Sequence, residues 1–215
     1  MTTVAVIDYG MGNIRSVSKA LEHADATCRV IISNDARQIL AADRVVFPGV
    51  GALRDCLEEL RRLELEEVIR QCIRTRPFLG ICLGMQALMD SSEENGGTPA
   101  LGIIPGQVLH FSDRIDHLEP PLKIPHMGWN QVMQCDGHPL WAGIPQNSRF
   151  YFVHSYFVHP VSGEVTVGTT DYGLTFTAAL SWENIFAVQF HPEKSQHAGL
   201  QLLANFLRWD GGCGS

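Results

Sequence analysis

Short apolar runs and longer stretches of helical spacing alternate along the first half of the chain. The apolar runs predict strands at 3–8, 28–33, 44–49 and 78–82. Apolar residues recur at helical spacing at 14–24 and at 52–76. Continuous apolar strands joined by helices are typical of a mostly parallel sheet that helices cover on both faces, with right-handed connections. The pattern therefore predicts the α/β class.

The second half is richer in strand signals. Runs with β-branched and aromatic residues lie between Gly, Asp and Asn turns at 150–160, 164–172, 174–182 and 185–190. We expect part of this region to form a smaller antiparallel layer at one edge of the sheet. A last amphipathic helix is predicted at about 196–208, before a glycine-rich end. We predict one domain over residues 1–210 and a flexible tail over 211–215.

Composition narrows the possible partners. A chain of 215 residues with 45% hydrophobic content can bury one large core. The net charge is −7 and no basic run could follow a phosphate backbone, which argues against nucleic acid as a partner. The N-terminal sequence has neither the charge pattern of a signal peptide nor an apolar run of membrane-spanning length, so the predicted location is the cytoplasm.

Neither a metal site nor a cofactor site is predicted. The six cysteines show no C-x-x-C spacing, so reduced thiols are expected. Cys135 and His138 lack a second ligand pair and fit a turn around Gly137 better. The loop "DYGMGNIR" opens a helix as a dinucleotide-binding loop would, but Arg15 stands where the third glycine belongs.

The stretch "GICLGMQ" places Cys82 between Gly80 and Gly84, after a predicted strand and before a predicted helix. This is the spacing of the G-x-S-x-G nucleophile elbow, with sulfur in place of the hydroxyl oxygen. Glycines there tolerate crowding and strained dihedrals, and the dipole of the following helix favours a thiolate. A small buried cysteine that ends a strand is the alternative interpretation.

A base for this thiol is suggested by "QFHPEK", in which His191 follows a strand and Glu193 stands two residues later. Residues i and i+2 of an extended segment project to the same side, so the carboxylate can hold one ring nitrogen and direct the other at a thiol. Cys82 and His191 each end a predicted strand, and active sites of open α/β sheets form at those ends. The alternative is a polar loop after a buried strand.

Together, "GICLGMQ" and the distal "HPE" resemble the class I, triad-type glutamine amidotransferases. The resemblance implies a flavodoxin-like fold in which Cys82 attacks the side-chain amide of glutamine and ammonia is released. His191 would move the proton and Glu193 would hold the imidazole. The backbone N–H of Leu83 is the expected first oxyanion donor, and Val50 and Gly51 in "PGVG" offer a second.

Gln86 lies one helical turn after Cys82 and faces the same way. With Gly51, Ser155 and Tyr156 it matches the family's glutamine pocket, which implies substrate contacts for these four residues. A pocket that satisfies both the α-ammonium and the α-carboxylate would reject simple amides. A buried glutamine with purely structural hydrogen bonds is the alternative for Gln86.

Four further segments narrow the resemblance to one branch of the family: "DYGMGN", "PGVG", "PHMGWN" and "YFVHSY" resemble the glutaminase subunits of imidazole glycerol phosphate synthases in histidine biosynthesis. This implies a protein partner, a (β/α)₈ synthase (cyclase) subunit that uses the ammonia to make imidazole glycerol phosphate and AICAR. By carry-over from the family, the expected partner-interface residues are Asn13, Trp129, Tyr151 and Lys194.

Other functions stay open on the sequence. One is the glutaminase of another synthase such as anthranilate synthase, although those proteins differ from this chain at the first and third of the four segments. Another is a stand-alone thiol hydrolase of the same fold that acts on peptides or γ-glutamyl substrates. A third is a partner-binding module with vestigial cysteine chemistry, which the presence of Cys82, His191, Glu193 and Gln86 argues against.

Overall fold

The computed structural model describes residues 1–135 and 137–212. Within them the strands are β1 (Thr3–Ile7), β2 (Arg29–Ser33), β3 (Arg44–Gly49), β4 (Phe78–Cys82), β5 (Ser91–Ser92), β6 (Thr98–Pro99), β7 (Gly106–His110), β8 (His126–Gln131), β9 (Met133–Gln134), β10 (Arg149–His154), β11 (Tyr156–Pro160), β12 (Thr166–Asp171), β13 (Thr175–Trp182) and β14 (Ile185–Val188). The helices are α1 (Ile14–Ala24), α2 (Ala36–Ala41), α3 (Leu53–Arg62), α4 (Leu65–Thr75), α5 (Leu83–Gln86), α6 (Ser112–Ile115) and α7 (Gln196–Arg208).

A mixed sheet forms the centre of the protein. Strands β2, β1, β3, β4 and β14 are neighbours in that order and all run parallel. The sheet continues through β13, β11 and β7 with antiparallel pairing, and β8 and β10 form a separate two-stranded ribbon. The predicted parallel sheet with a smaller antiparallel part is therefore confirmed. Because β4 and β14 are adjacent and parallel, the residues that follow them lie side by side at the same end of the sheet.

Two apolar layers cover the parallel strands. Alternate residues of β1 point to opposite faces, with Val4 and Val6 in one layer and Ala5 and Ile7 in the other. Helices α1 and α7 contribute buried residues to the first layer, and α3 and α4 to the second. The inner strands are almost entirely apolar because both of their faces are buried, whereas the edge strand β2 is partly exposed.

The stretch 52–76 is helical, as its spacing predicts, but it consists of two helices. The first helix ends at Arg62, and Glu64 adopts a left-handed conformation with φ of 56° before α4 begins. Leu60 and Leu65, on either side of the break, are both fully buried. The break redirects the chain while the apolar spacing continues, which is why the sequence pattern shows no interruption.

The stretch 150–160 is likewise two strands. Ser155 separates β10, which pairs with β8 in the ribbon, from β11, which pairs with β7 in the main sheet. Both strands carry the same apolar alternation, so the pattern does not show where the chain changes sheets. The ribbon and the main sheet thus meet at Ser155.

Near its C-terminal end the chain agrees with the sequence pattern. Helix α7 spans Gln196–Arg208, as predicted. The indole of Trp209 donates a hydrogen bond to the carbonyl of Gly212 at 2.6 Å. The remaining residues of the predicted tail, 213–215, lie outside the described residues. In the described parts of the chain, no helix has the length and apolar character needed to cross a membrane.

The segment around His138 forms a turn. Gly137 has a φ of 71°, and the His138 ring accepts a hydrogen bond from the backbone N–H of Leu140 at 3.2 Å, which caps a short 3-10 turn over Pro139–Trp141. Its other ring nitrogen lies 3.1 Å from the hydroxyl of Ser181. Both ring nitrogens of His138 therefore serve local structure.

Candidate active site

Cys82 occupies the sharp turn between β4 and α5. Its backbone has φ of 54° and ψ of −107°, an unusual conformation for a residue with a side chain. A Cβ on Gly84 would lie 1.9 Å from the carbonyl oxygen of Phe47, and one on Gly80 would lie 3.0 Å from the Cβ of Ala187. The two glycines thus serve close packing, while the strained dihedrals fall on Cys82 itself rather than on the glycines as expected.

The helix after Cys82 is shorter than the sequence suggests. Helix α5 spans only Leu83–Gln86, about one turn. A helix of one turn has a weak macrodipole, since the dipoles of only a few peptide units add up. Nearby hydrogen-bond donors must therefore contribute more to any thiolate at Cys82 than the helix dipole does.

His191 and Glu193 follow β14 and form a buried pair. The Nδ1 atom of His191 lies 2.8 Å from Oε1 of Glu193, and the two side chains are 2% and 1% exposed. Residues Pro192–Lys194 form a 3-10 turn rather than the expected extended segment, yet the turn still brings the carboxylate to the ring. The His191 N–H donates to the Tyr151 carbonyl at 2.9 Å, which ties this turn to β10.

The charges around His191 favour its protonated ring. Burial lowers the pKa of His191, but its interactions with Cys82 and Glu193 outweigh burial and raise the pKa above the ordinary value. Glu193 occupies Nδ1, so Nε2 is the nitrogen left to face a thiol. Among the described residues, buried Nε2 has no hydrogen-bond partner of good geometry. The ring is thus held at Nδ1 by Glu193, and its Nε2 side faces Cys82.

A cavity of about 350 Å³ opens beside Cys82. It is lined by Val50, Gly51, Cys82, Leu83, Gln86, Glu94, Pro125, Val153, His154, Ser155, Tyr156 and His191. The structure therefore brings together the predicted nucleophile, its histidine, the oxyanion residues and the substrate residues. Gly49 pairs with Cys82 across β3 and β4, and Gly51 has a φ of 97°, so "PGVG" turns at the edge of this cavity.

Gln86 is both a structural residue and a cavity residue. Its side-chain nitrogen donates to the carbonyl of Tyr156 and to the amide oxygen of Gln189, each at 3.0 Å. Both N–H groups are therefore committed. Only the amide oxygen of Gln86 remains to meet a ligand, and an oxygen can only accept a hydrogen bond.

Three polar residues of the site are not predicted from the sequence: Glu94, Gln189 and His154, which also lines the cavity. Glu94 is the carboxylate that lines the cavity, and its Oε2 accepts a hydrogen bond from the Leu53 N–H at 2.7 Å. No sequence signal marks it, because the turn after β5 brings it there. Gln189 is fully buried, and its amide nitrogen lies 3.6 Å from Sγ of Cys82. Its position two residues before His191 is a signal that could have identified it.

Three of the four predicted interface residues lie together. Trp129 and Tyr151 face each other across the β8–β10 ribbon with ring centroids 6.2 Å apart. The ammonium of Lys194 lies 5.6 Å from the centroid of the Tyr151 ring. Asn13 lines a narrow hollow together with Val50 and Glu193, the residue before Lys194.

Another hollow, of about 540 Å³, lies at the β5–β6 edge of the sheet. Its lining includes Glu93, Thr98 and Gln107 but neither a cysteine nor a histidine. The smaller cavity at Cys82 holds the reactive side chains, and chemistry rather than size identifies it as the functional site.

Comparisons with known proteins agree with this geometry. The Glutamine amidotransferase class-I family model matches residues 5–209. The chain is 60% identical over 211 residues to "Imidazole glycerol phosphate synthase subunit HisH" of Nitrosococcus oceani, covering 98% of this chain and 99% of that protein. It is 59% identical over 212 residues to the protein of the same name from Methylococcus capsulatus, covering 98% of each.

Solved structures share the fold at low sequence identity. One described as a glutamine amidotransferase has a TM-score of 0.72 at 15% identity and covers 95% of this chain and 97% of its own. The PurLQS structure from Thermotoga maritima has a TM-score of 0.71 at 16% identity, covering 96% and 98%. At these identities the likeness establishes the architecture alone.

Proposed function

Since this chain belongs to the class-I glutamine amidotransferase family, we propose that it is the glutaminase subunit of an imidazole glycerol phosphate synthase in histidine biosynthesis. The observation that carries the proposal is that Cys82 and His191 line one cavity at the carboxyl ends of β4 and β14, while Glu193 holds the His191 ring from behind. Relatives of the same length carry that subunit's name, which supports the choice of synthase.

The first half of the reaction forms a thioester. Sγ of Cys82 attacks the amide carbon of the glutamine side chain, and a C–S bond forms as the carbonyl oxygen becomes an oxyanion. The Leu83 N–H is the first donor to this oxygen, with "PGVG" supplying the second. His191 delivers a proton to the amide nitrogen, the C–N bond breaks, and ammonia leaves a γ-glutamyl thioester on Cys82.

The second half regenerates the thiolate. His191, now neutral and still held by Glu193, takes a proton from water. The hydroxide attacks the thioester carbon, a C–O bond forms, and the C–S bond breaks with the electron pair returning to sulfur. Glutamate leaves, and the imidazolium–thiolate pair is ready for the next glutamine. Every atom in this cycle comes from glutamine, water or the chain.

Glutamine is recognised through its α-ammonium group. The second carboxylate oxygen of Glu94 and the amide oxygen of Gln86 are both acceptors at the cavity, whereas the ammonium has only donors. Backbone groups around Gly51, Ser155 and Tyr156 lie nearby for the α-carboxylate. A substrate without the amino-acid end would leave these polar groups unpaired, which disfavours simple amides.

The proposed partner is a (β/α)₈ synthase subunit that docks on the exposed ribbon. Met127 and Trp129 on β8 are 62% and 40% exposed, unusually high for large apolar side chains. Lys194 and Tyr151 lie beside them, so the cluster combines an apolar surface with a charged rim. Ammonia released into water would mostly be protonated to ammonium. Transfer of ammonia to the synthase subunit therefore requires an interface that excludes water.

The nucleophile is tested by glutamate release from glutamine in the presence of the copurified partner. Cys82→Ala is expected to remove the activity while the fold and partner binding stay intact, because the substitution deletes one small atom. Cys135→Ala, outside the cavity, is the matched control and should retain wild-type activity. Wild-type rates in Cys82→Ala would eliminate the assignment.

The partner and the substrate are tested separately. Purification of the chain from its native extract should recover a synthase subunit, and addition of that subunit with its nucleotide-like substrate should raise the glutaminase kcat. Rapid cleavage of dipeptides or γ-glutamyl peptides by the isolated chain would instead favour a stand-alone thiol hydrolase.

A further inference from the structure

We propose that Gln189 is a further catalytic residue, whose side-chain amide donates a hydrogen bond to Sγ of Cys82 and stabilises the thiolate. The inference rests on the thiol chemistry of the proposed function. It adds to the proposed triad a neutral donor that contacts the reacting sulfur directly.

Backbone geometry places Gln189 beside the thiol. It follows β14, and its N–H donates to the Ala178 carbonyl at 2.9 Å, which continues the pairing with β13. Residues 189–190 form a bend after β14, and His191 follows in an extended conformation. Cys82 ends the neighbouring strand β4. The segment that follows β14 therefore brings the side chains of Gln189 and His191 to the Cys82 sulfur.

The orientation of the Gln189 amide is fixed by its partner. Nε2 of Gln86 donates to Oε1 of Gln189 at 3.0 Å, so the oxygen faces Gln86 and the nitrogen faces the sulfur. A flipped amide would set two NH₂ groups against each other. Gln86 is itself held by the Tyr156 carbonyl at 3.0 Å. The donor therefore reaches Sγ without having to reorganise.

The environment of Cys82 makes such a donor important. Gln189 is fully buried and Cys82 is 7% exposed, so most of the Cys82 surface faces protein groups rather than solvent. The one-turn helix α5 supplies a weak dipole. A thiolate is a much stronger acceptor than a thiol, so an N–H at 3.6 Å favours the ionised form and the departing sulfur of the thioester.

The other polar groups packed around the thiol have different partners. His191, supported by Glu193, carries the proton of the reaction. The Tyr9 hydroxyl donates to the Pro48 carbonyl at 3.0 Å. The His154 ring lies 2.7 Å from the Tyr156 carbonyl and 2.9 Å from the His126 ring, and Glu94 accepts from Leu53. Gln189 is thus the neutral side chain that the described structure directs at Sγ.

The test measures the alkylation rate of Cys82 by iodoacetamide across pH, followed on the Cys82 peptide by mass spectrometry. Gln189→Met keeps the length and the buried volume but removes the donor. The pH of half-maximal rate should rise by about one unit or more, so alkylation below that midpoint should be roughly tenfold slower. Cys82→Ala gives the background labelling of the other cysteines.

Two further variants make the test decisive. Gln189→Asn withdraws the same amide by one carbon and should shift the midpoint in the same direction. Gln86→Met releases the Gln189 amide without removing it and should give a smaller shift. Unchanged midpoints in both folded Gln189 variants would overturn the proposal. The alkylation assay contains no glutamine, so its outcome does not depend on whether the chain is a glutaminase. An error in the glutaminase assignment would appear only in the assay of glutamine hydrolysis.

Discussion

At the residue scale, the proposed recognition of glutamine is tested at Glu94, whose carboxylate lines the cavity beside Cys82. We expect Glu94→Gln to raise the KM for glutamine by roughly tenfold to a hundredfold, because a charged hydrogen bond to the α-ammonium is lost while the reacting groups stay in place. The kcat should change much less. Steady-state kinetics of glutamate release in the complex provides the measurement.

Glu93→Gln is the matched control for this prediction. The Glu93 carboxylate is bound by Arg114 at 2.7 Å and by the His110 N–H at 2.8 Å, and it lines the other hollow. The KM of Glu93→Gln for glutamine should stay close to that of the wild type. Equal KM values in all three proteins would remove Glu94 from the substrate site.

The sequence identified the residues whose chemistry depends on local spacing. Cys82 between two glycines is a local pattern, and so is His191 followed by Pro192 and Glu193. The structure places both patterns at the carboxyl ends of the adjacent strands β4 and β14. Glu94 escaped notice because the turn after β5 brings it to Leu53, and that contact has no local signature. Which of several polar residues reaches a cavity depends on tertiary packing.

At the element scale, helix α7 holds the turn that carries Glu193. A Cβ on Gly199 would lie 2.0 Å from the carbonyl oxygen of Pro192. Helix propensity alone predicts that Gly199→Ala stabilises the protein by about 1 kcal/mol. We expect the opposite, a loss of about 1–3 kcal/mol with reduced glutaminase activity, because the methyl group displaces the turn.

Gly163→Ala serves as the control for this substitution. A Cβ at Gly163 would meet nothing within 4 Å, so stability should change by no more than about 0.5 kcal/mol and activity should stay normal. Urea unfolding and glutamate release measure both effects. A Gly199→Ala protein that is more stable and fully active would show that helix propensity outweighs the contact.

Element types followed from the sequence more reliably than changes of direction. Helix α7 and the parallel strands have the predicted character because periodicity reports which faces are buried. The break at Glu64 and the change of sheet at Ser155 were missed, since apolar spacing continues through both. Periodicity carries no information about where the backbone turns.

At the scale of the whole molecule, three buried histidines make stability depend on pH. Burial lowers the pKa of His126 and of His138 to about 4, and that of His154 to about 3. Their value in an unfolded chain is about 6.5. At these three sites the unfolded state binds more protons below that pH, so their contribution to stability is complete above about 6.5 and is lost as pH drops toward about 4; His191, whose pKa is raised, contributes with the opposite sign at higher pH.

His138→Asn tests this dependence. The Asn side-chain oxygen can still accept from the Leu140 N–H, but the group no longer titrates. Between about pH 7 and about pH 4.5, the variant should lose about 2–3 kcal/mol less unfolding free energy than the wild type. Urea unfolding at both pH values gives the comparison, and all other titrating groups cancel. Equal losses in the two proteins would mean that His138 does not contribute.

Ammonia transfer to the proposed synthase subunit is a second property of the assembled molecule. Trp129→Ala should lower product formation by the synthase more than it lowers glutamate release, because the proposed docking on the β8–β10 ribbon makes the indole part of the barrier to water. Trp182→Ala is the matched control: Trp182 is similarly exposed but lies near the end of β4 opposite to Cys82. A strictly proportional fall of both products in Trp129→Ala would exclude a role in the conduit.

Strand β14 is the last strand in the sequence, yet it lies in the middle of the sheet between β4 and β13. A ribosome makes the chain from its N-terminus, so Cys82 emerges long before the strand that brings Gln189 and His191 to it. Until that strand inserts, the thiol lacks both its base and its donor. The nascent chain therefore cannot form the imidazolium–thiolate pair before β14 is in place, and a chain truncated before Ile185 lacks the residues that the proposed hydrolysis of glutamine needs.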